Sequence, residues 1–164
     1  MKAIEITKEL YAANSWSTKT VLEAVTDELA DAPTGGSFPT AKATLIHIWD
    51  AQSVWYNRLT DRANAELPSK FYDGSLQALK DGLLLSCDNL EKLLEDKDDD
   101  YLDAKLKYTN LQGKEFEQPI YQILFHLTQH SAMHRGQVIL QLRQAGFTGK
   151  LPQTDAIAWF RLFR

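Results

Sequence analysis

The sequence predicts an all-α protein, a four-helix bundle with a long connection between its second and third helices and a short β-hairpin before its fourth. Apolar residues recur at helical spacing in four long segments, whereas the alternation typical of strands is found in one short stretch. The 164 residues suit a single domain over residues 1–164, because a chain of this size buries about two thirds of its unfolded surface without disulfide staples.

The first two predicted helices are separated by a loop rich in proline and glycine. Apolar residues at helical spacing run from about Ala3 to Ala30, and the pattern stops before Pro33. After the loop, Thr40 is a suitable N-cap for the second helix. His47 lies on the apolar face of that helix and is therefore expected to point inward.

The third predicted helix follows a long connection. The segment from Ala63 to Asp73 contains Pro68 and has no sustained period, so it is predicted to join the second helix to the third. Ser75 can cap the third helix, whose leucines continue until an acidic loop from Asp96 to Asp100.

A short hairpin is predicted next. Leu106 and Tyr108 alternate with lysines, residues Asn110 to Gly113 are typical of a turn, and Phe116 alternates with glutamates. We expect this hairpin to pack on one end of the bundle.

The fourth helix is predicted from Pro119 to about Ala145, where Gly146 offers a left-handed C-cap. The tail from Thr154 onward is too apolar for a solvated arm, so we expect it to dock as a short helix.

Composition limits the function. The net charge of −4 and the pI near 5.5 provide no basic field for a phosphate backbone, so direct binding to nucleic acid is not expected. Cys87 has no second cysteine to pair with, which is typical of a reducing compartment. The first residues mix charges into their apolar positions, and no stretch approaches the ~20 apolar residues of a membrane span. We therefore expect a cytoplasmic protein without a membrane partner.

Three histidines on the fourth predicted helix are the most informative feature of the chain. His126, His130 and His134 are spaced i, i+4 and i+8, which stacks imidazoles along one side of a helix. At 100° per residue, His130 and His134 fall at the edge of the apolar stripe, where they can meet His47. His126 falls farther round, where it is better placed to hydrogen-bond a loop or to support the site from outside the ligand set. Imidazole is a common ligand for zinc, nickel, copper and iron. The spacing alone leaves two interpretations open, a metal site or hydrogen-bonded histidines beside the core.

Better-known metal sites are excluded by the neighbouring residues. A di-iron carboxylate bundle requires glutamate three positions before a histidine, and a zincin requires it directly after the first. The positions before the four histidines hold Thr44, Ile123, Leu127 and Ser131, and the residues after His126 and His130 are Leu127 and Ser131. No CxxCH motif for covalent haem is present.

The segment LFHLTQHSAMHRGQV resembles the fourth helix of the DinB family, which includes the DinB/YfiT-like metalloenzymes. YTNLQGKEFEQPIYQIL is similar to the hairpin and helix start of that family, and ATLIHIWDAQSVWYNRL is similar to its second helix. The resemblance implies a four-helix bundle with a divalent metal, often zinc or nickel, on His47, His130 and His134. His126 matches an additional histidine that is commonly not a ligand.

The resemblance also implies an activity. Characterised branches of the family include thiol-dependent S-transferases and a maleylpyruvate isomerase, which use low-molecular-weight thiols such as bacillithiol or mycothiol. A divalent ion stabilises a thiolate, which could then attack an electrophile. A transferase acting on a small-molecule thiol and an electrophile is therefore the leading hypothesis. Two alternatives stay open, a non-catalytic metal-binding stress or interaction protein and a metal-assisted hydrolase. A homodimer is common among similar bundles.

A few further residues are candidates for the site. Arg135 could bind a carboxylate of the thiol or substrate, although a structural ion pair is an equal alternative. Gln137 could orient a ligand or water, and Trp55 could wall a substrate cavity. Gly136, inside the fourth helix, is interpreted as a site of close helix packing, within the chain or across a dimer. Cys87 is not expected to be catalytic.

Overall fold

The structure is a computed structural model and describes residues 2–62, 67–110 and 112–164. Helices make up most of it, and two strands form an antiparallel hairpin, which confirms the predicted fold class. The helices are α1 (Ala3–Glu23), α2 (Asp27–Asp31), α3 (Ala41–Leu59), α4 (Leu76–Leu94), α5 (Asp99–Asp103), α6 (Ile120–Gln144) and α7 (Ala156–Phe163), and the strands are β1 (Lys105–Thr109) and β2 (Glu115–Pro119).

The four long helices α1, α3, α4 and α6 form the bundle. Both α1 and α3 pack against α4 and against α6, so α1 and α3 occupy opposite corners. Buried apolar residues form two clusters, one that includes Leu45 and Leu83 and one that includes Tyr11 and Leu124. The contact between α3 and α6 is the one that matters for the site, because these two helices contain all four histidines.

The first predicted helix is wrong at its end, because α1 stops at Glu23 and a separate short helix follows. Thr26 has an extended backbone, and its side-chain oxygen accepts a hydrogen bond from the Leu29 amide, which makes Thr26 the N-cap of α2. Val25, within the break, and Ala30, in α2, are both buried. The apolar period therefore continues from α1 into α2, and it gives no sign that the chain leaves the helix between them.

The predicted acidic loop is partly helical. Asp98 caps α5 by accepting a hydrogen bond from the Tyr101 amide, and Asp99 accepts one from the amide of Ile4 at the start of α1. These acidic residues thus satisfy amides that helix beginnings leave without partners. In the predicted connection from Ala63 to Asp73, residues 63–66 lie outside the described residues, and the rest includes the 3-10 helix Pro68–Lys70.

The hairpin is confirmed, with Lys105 paired to Pro119 and Thr109 to Glu115. The side-chain oxygen of Asn110 accepts hydrogen bonds from the amides of Gln112 and Lys114, which closes the turn. The ring of Tyr108 stacks on that of Phe116 and also contacts Trp55 of α3. The hairpin therefore lies beside the histidine-bearing helix.

The C-terminal tail docks as a short helix, as predicted. Trp159 of α7 is buried, and α7 packs against α1. The guanidinium of Arg164 pairs with Glu9 at 3.0 Å. None of the described helices combines the length and the apolar character that crossing a bilayer needs.

The prediction that Gly136 allows close packing within the chain is wrong. A Cβ atom added at Gly136 would meet no described heavy atom within 4 Å, because this position faces away from the bundle. The close approach is instead at Gly82 of α4, where an added Cβ would lie 2.0 Å from the Trp49 ring.

Candidate metal centre

Three histidines from two helices converge in the bundle. His47 of α3 meets His130 and His134 of α6, and one ring nitrogen of each lies within 4.8 Å of the others. The Nε2 atoms of His47 and His130 are 3.0 Å apart. In a tetrahedral zinc site with bonds of 2.0–2.1 Å, neighbouring nitrogens lie about 3.3 Å apart. The donor set and its spacing therefore fit a divalent metal ion.

Burial and mutual repulsion favour the neutral form of these imidazoles. The pKa of His130 is lowered to about 4, mainly by burial and in smaller part by the charges that its neighbours His134 and His47 would bear. The pKa of His47 is lowered by burial and by His134, while Asp50 opposes the change. Since only neutral imidazole binds metal, the two rings need not lose a proton near pH 7.

Gln137 supports one member of the cluster. Its Oε1 lies 2.7 Å from the Nδ1 atom of His134 and accepts a hydrogen bond from the N–H at that nitrogen. The lone pair of His134 is thereby left on Nε2, an arrangement typical of ligands held in one tautomer by an outer hydrogen bond. The buried Nδ1 atom of His130 has no comparable partner in the described part of the chain.

Phe38 covers another side of the cluster. The centroid of its ring is 4.6 Å from that of His47 and 5.6 Å from that of His134. Gln141 holds this loop in place, since its Nε2 atom donates to the Phe38 carbonyl oxygen and its Oε1 accepts from the buried Thr44 hydroxyl. An aromatic residue from the loop before α3 thus helps to exclude water from the histidines.

His126 lies outside the group of possible ligands. Its exposed ring contacts His130, with centroids 5.6 Å apart, and Trp55, with centroids 6.0 Å apart. Among the described residues, the His126 side chain has no hydrogen-bond partner. Its contacts are those of a ring between the cluster and the hairpin side of the bundle.

A cavity of about 420 Å³ adjoins the cluster. His47 and Asp50 line one part of it, and Val54, Trp55 and Arg58 continue the wall along α3. The mixture of an aromatic wall with a few polar groups is typical of small-molecule sites. Trp55 therefore lies where a cavity wall was predicted.

Arg135 does not reach this cavity. Its guanidinium is buried on the other side of α6, where Nη1 donates to Asn14 at 2.6 Å and to Thr18 at 3.2 Å, both in α1. The predicted ion pair is wrong as well, because these partners are neutral. Burial is the main reason that the pKa of Arg135 falls to about 10.

Cys87 is not a member of the cluster. It is 2% exposed, and burial raises the pKa of its thiol. Its sulfur lies 3.6 Å from Oε1 of Gln52, which also accepts from Ser86 at 2.7 Å while Nε2 of Gln52 donates to Ser131. This buried network connects α3, α4 and α6. Its α6 member, Ser131, lies between His130 and His134 in the sequence.

Phe38, Arg58 and Gln52 were not singled out from the sequence. Arg58 could have been found, because it follows His47 by eleven residues, which is a rotation of about 20° on the same helix face. Phe38 precedes the cap of α3 by two residues, one position too early for the apolar residue that often packs back on a helix start, so no local pattern indicates its contact. Nothing in the sequence distinguishes Gln52 from other polar helix residues.

The fold and the site place this protein in the class of helical bundles that have a possible metal site between facing helices. The family model described as the DinB family matches residues 3–159. The chain belongs to the DinB family.

Two solved structures share the fold. A DinB-like protein from Bacillus cereus is 22% identical, with a TM-score of 0.70 over 87% of this chain and 91% of that one. A DinB-like protein from Bacillus subtilis, YjoA, is 16% identical, with a TM-score of 0.66 over 91% and 96% of the two chains. No curated protein matches at a meaningful level of similarity.

Proposed function

We propose that this protein is a metal-dependent S-transferase that uses a low-molecular-weight thiol. The observation that supports the proposal is the cluster of His47, His130 and His134 beside a cavity large enough for a small molecule. Three protein ligands leave at least one coordination position open, which is typical of catalytic rather than structural sites.

The chemistry requires no nucleophile from the protein. A divalent ion held by the three imidazoles, zinc or nickel in our proposal, would favour the thiolate form of a thiol and so make its sulfur nucleophilic. The sulfur forms a bond to the electrophile, whose leaving group departs with the bonding electrons, and the thiol proton goes to solvent. The chain's contribution is to hold neutral imidazoles in place and to shield them, which Gln137 and Phe38 do.

Metal content tests the site itself. Untagged wild-type protein should contain nearly one divalent ion per chain, measured by inductively coupled plasma mass spectrometry after dialysis. His47→Ala, His130→Ala and His134→Ala should each lose most of it. His126→Ala is the matched control, because His126 lies on the same helix outside the ligand group, and it should retain the metal. Equal metal content in all four variants and in wild type would refute the site.

Turnover tests the reaction. Metal-loaded protein is incubated with cysteine, glutathione, bacillithiol or mycothiol and with 1-chloro-2,4-dinitrobenzene, and conjugate formation is followed by absorbance. We expect a rate above background with at least one thiol, and loss of that rate in the variant lacking all three ligands. Metal binding without turnover across the panel would favour a non-catalytic metal-binding stress or interaction protein.

A second candidate, metal-assisted hydrolysis, is favoured by the position of Asp50. This carboxylate lines the cavity together with His47, and its Oδ1 accepts a hydrogen bond from the Ser69 amide at 2.9 Å. A carboxylate there can act as a general base. Hydrolysis of p-nitrophenyl acetate that depends on metal and is lost in Asp50→Asn, with metal content unchanged, would support this function over S-transfer.

A further inference from the structure

Arg58 places a positive charge in the wall of the cavity that adjoins the histidines. Its guanidinium carbon lies 4.7 Å from the centroid of the Trp55 ring and 5.0 Å from that of Tyr108. One of its nitrogens, Nη2, donates to the carbonyl oxygen of Thr109 at 2.9 Å. The two rings and the carbonyl oxygen hold the planar group between α3 and the hairpin.

The guanidinium keeps capacity for an anion. It has five N–H donors in a fixed fork, and the one hydrogen bond found for it within the described residues is to a neutral carbonyl oxygen. No carboxylate of the described residues lies within 4.0 Å of it, in contrast to Arg164, which pairs with Glu9. Arg58 is partly exposed, so a ligand in the cavity can reach it.

The distance from the histidines to Arg58 sets the length of such a ligand. Eleven residues of α-helix separate His47 from Arg58, which is about 16 Å along the axis at nearly the same rotation. Helical side chains lean toward the N-terminus of their helix, and the long arginine side chain reaches farther in that direction than an imidazole does. The contact of the guanidinium with Trp55, three residues earlier, agrees with this. An anion on Arg58 therefore lies on the order of 10 Å from the three imidazoles.

Asp50 is the acidic residue among the described residues that line the same cavity. It follows His47 by three residues, and the Ser69 amide donates to its Oδ1. Asp50 thus lies near the histidine end, two helical turns before Arg58. The cavity is therefore polarised along α3, with its positive group at the end distant from the histidines.

We propose that Arg58 binds a carboxylate at the far end of the thiol cosubstrate, which makes the site selective for extended anionic thiols. This inference rests on the proposed function, because the sulfur end of the ligand is placed at the three histidines. A planar guanidinium supported by aromatic rings forms bidentate pairs with carboxylates, an arrangement that lysine does not reproduce.

The experiment uses protein loaded with Co²⁺, whose absorption reports sulfur binding without any turnover. The probes are two thiols of equal length, 8-mercaptooctanoate and the neutral 8-mercapto-1-octanol, and one short acid, 3-mercaptopropionate. Wild type should bind 8-mercaptooctanoate about threefold to tenfold more tightly than the alcohol, because Arg58 is partly exposed and solvent weakens the pair that it forms with a carboxylate. The short acid should gain nothing from its charge, because it cannot span the distance.

Variants separate binding from a structural role. Arg58→Gln should reduce the preference for the long acid to less than about twofold while leaving the affinity for the alcohol unchanged. Arg58→Lys should restore only part of the preference. Arg143→Gln is the matched control, because Arg143 also donates to a carbonyl oxygen and lies over an aromatic ring, that of Phe147, but outside this cavity.

The outcomes distinguish this inference from the function on which it rests. If both long thiols change the Co²⁺ spectrum with equal affinity, or if Arg58→Gln keeps the preference, the role of Arg58 is refuted while thiol binding stands. If neither thiol changes the spectrum, the thiol-binding site itself is refuted, and the role of Arg58 falls with it.

Discussion

Replacing Gly82 with alanine tests the packing that positions α3. Gly82 lies in α4 directly against the indole of Trp49, which follows His47 of the histidine cluster by two residues in α3. An added Cβ would lie 2.0, 2.3 and 2.7 Å from three atoms of that ring. Carbon atoms pack at about 3.5–4.0 Å, so the ring would have to move by more than 1 Å.

The expected magnitude follows from two opposing terms. Alanine is favoured over glycine inside a helix by about 1 kcal/mol, whereas forcing extra atoms into a packed interface costs typically about 1–3 kcal/mol. The Trp49 ring has little room to move, since it is partly buried and packs edge to face with the Tyr72 ring, with ring centroids 5.9 Å apart. We therefore place the packing cost at or above its upper value and expect a net loss of about 2 kcal/mol, or roughly 4–8 °C in Tm.

Urea denaturation followed by circular dichroism measures this loss. Gly136→Ala is the matched control, because it changes a helical glycine that has no described heavy atom near its added Cβ. That variant should gain up to about 1 kcal/mol, and a loss that depends on protein concentration would instead indicate a second copy packed on Gly136. Gly82→Ala should recover part of its stability when combined with Trp49→Leu. If Gly82→Ala alone is as stable as wild type, the described contact is refuted.

Three further predictions concern the site and its surroundings. Gln137→Leu should weaken metal binding about 10- to 100-fold in a chelator competition, because His134 loses the hydrogen bond that fixes its tautomer; unchanged affinity would contradict this role. Cys87 should react with a disulfide reagent at pH 8 at least about a hundredfold more slowly in native protein than in urea, since burial raises its pKa, and comparable rates would contradict its burial. In metal-free protein, the free energy of unfolding should fall as the pH falls from 6.5 toward 4, since the unfolded chain then binds a proton that folded His130 does not. His130→Ala should flatten that slope, and an unchanged slope would assign it to other groups.

Local chemistry explains why much of the fold was predictable. The predicted caps Thr40 and Ser75 both accept hydrogen bonds from backbone amides at the starts of α3 and α4. Each prediction depended on a residue within three positions of the helix start. The hairpin likewise follows from alternation and from Asn110, whose side chain closes its own turn.

The break after α1 could not be predicted in the same way. Thr26 is a good N-cap, but threonine also occurs inside helices, and the buried Val25 and Ala30 preserve the helical period. Periodicity reports which residues are buried. It does not report whether the chain turns between them.

The candidate site likewise depends on tertiary packing that local sequence patterns do not predict. Helical spacing brings His130 and His134 together in one chain segment, but their meeting with His47 depends on how α3 packs against α6. The contact of Phe38 with two of these rings depends on a loop whose path is fixed by Gln141. Such contacts join distant parts of the chain, so no local pattern could have indicated them.

The adjacent pair His134 and Arg135 shows how one helix links the site to the rest of the bundle. Successive helical residues are rotated by 100°, so His134 faces α3 and Arg135 faces α1. Burying a guanidinium with only the neutral partners Asn14 and Thr18 costs free energy, which the lowered pKa of Arg135 reflects. The same hydrogen bonds fix the rotation of α6 about its axis relative to α1. Because a small rotation of α6 would carry His134 away from His47, this buried arginine helps to position the histidine cluster without touching it.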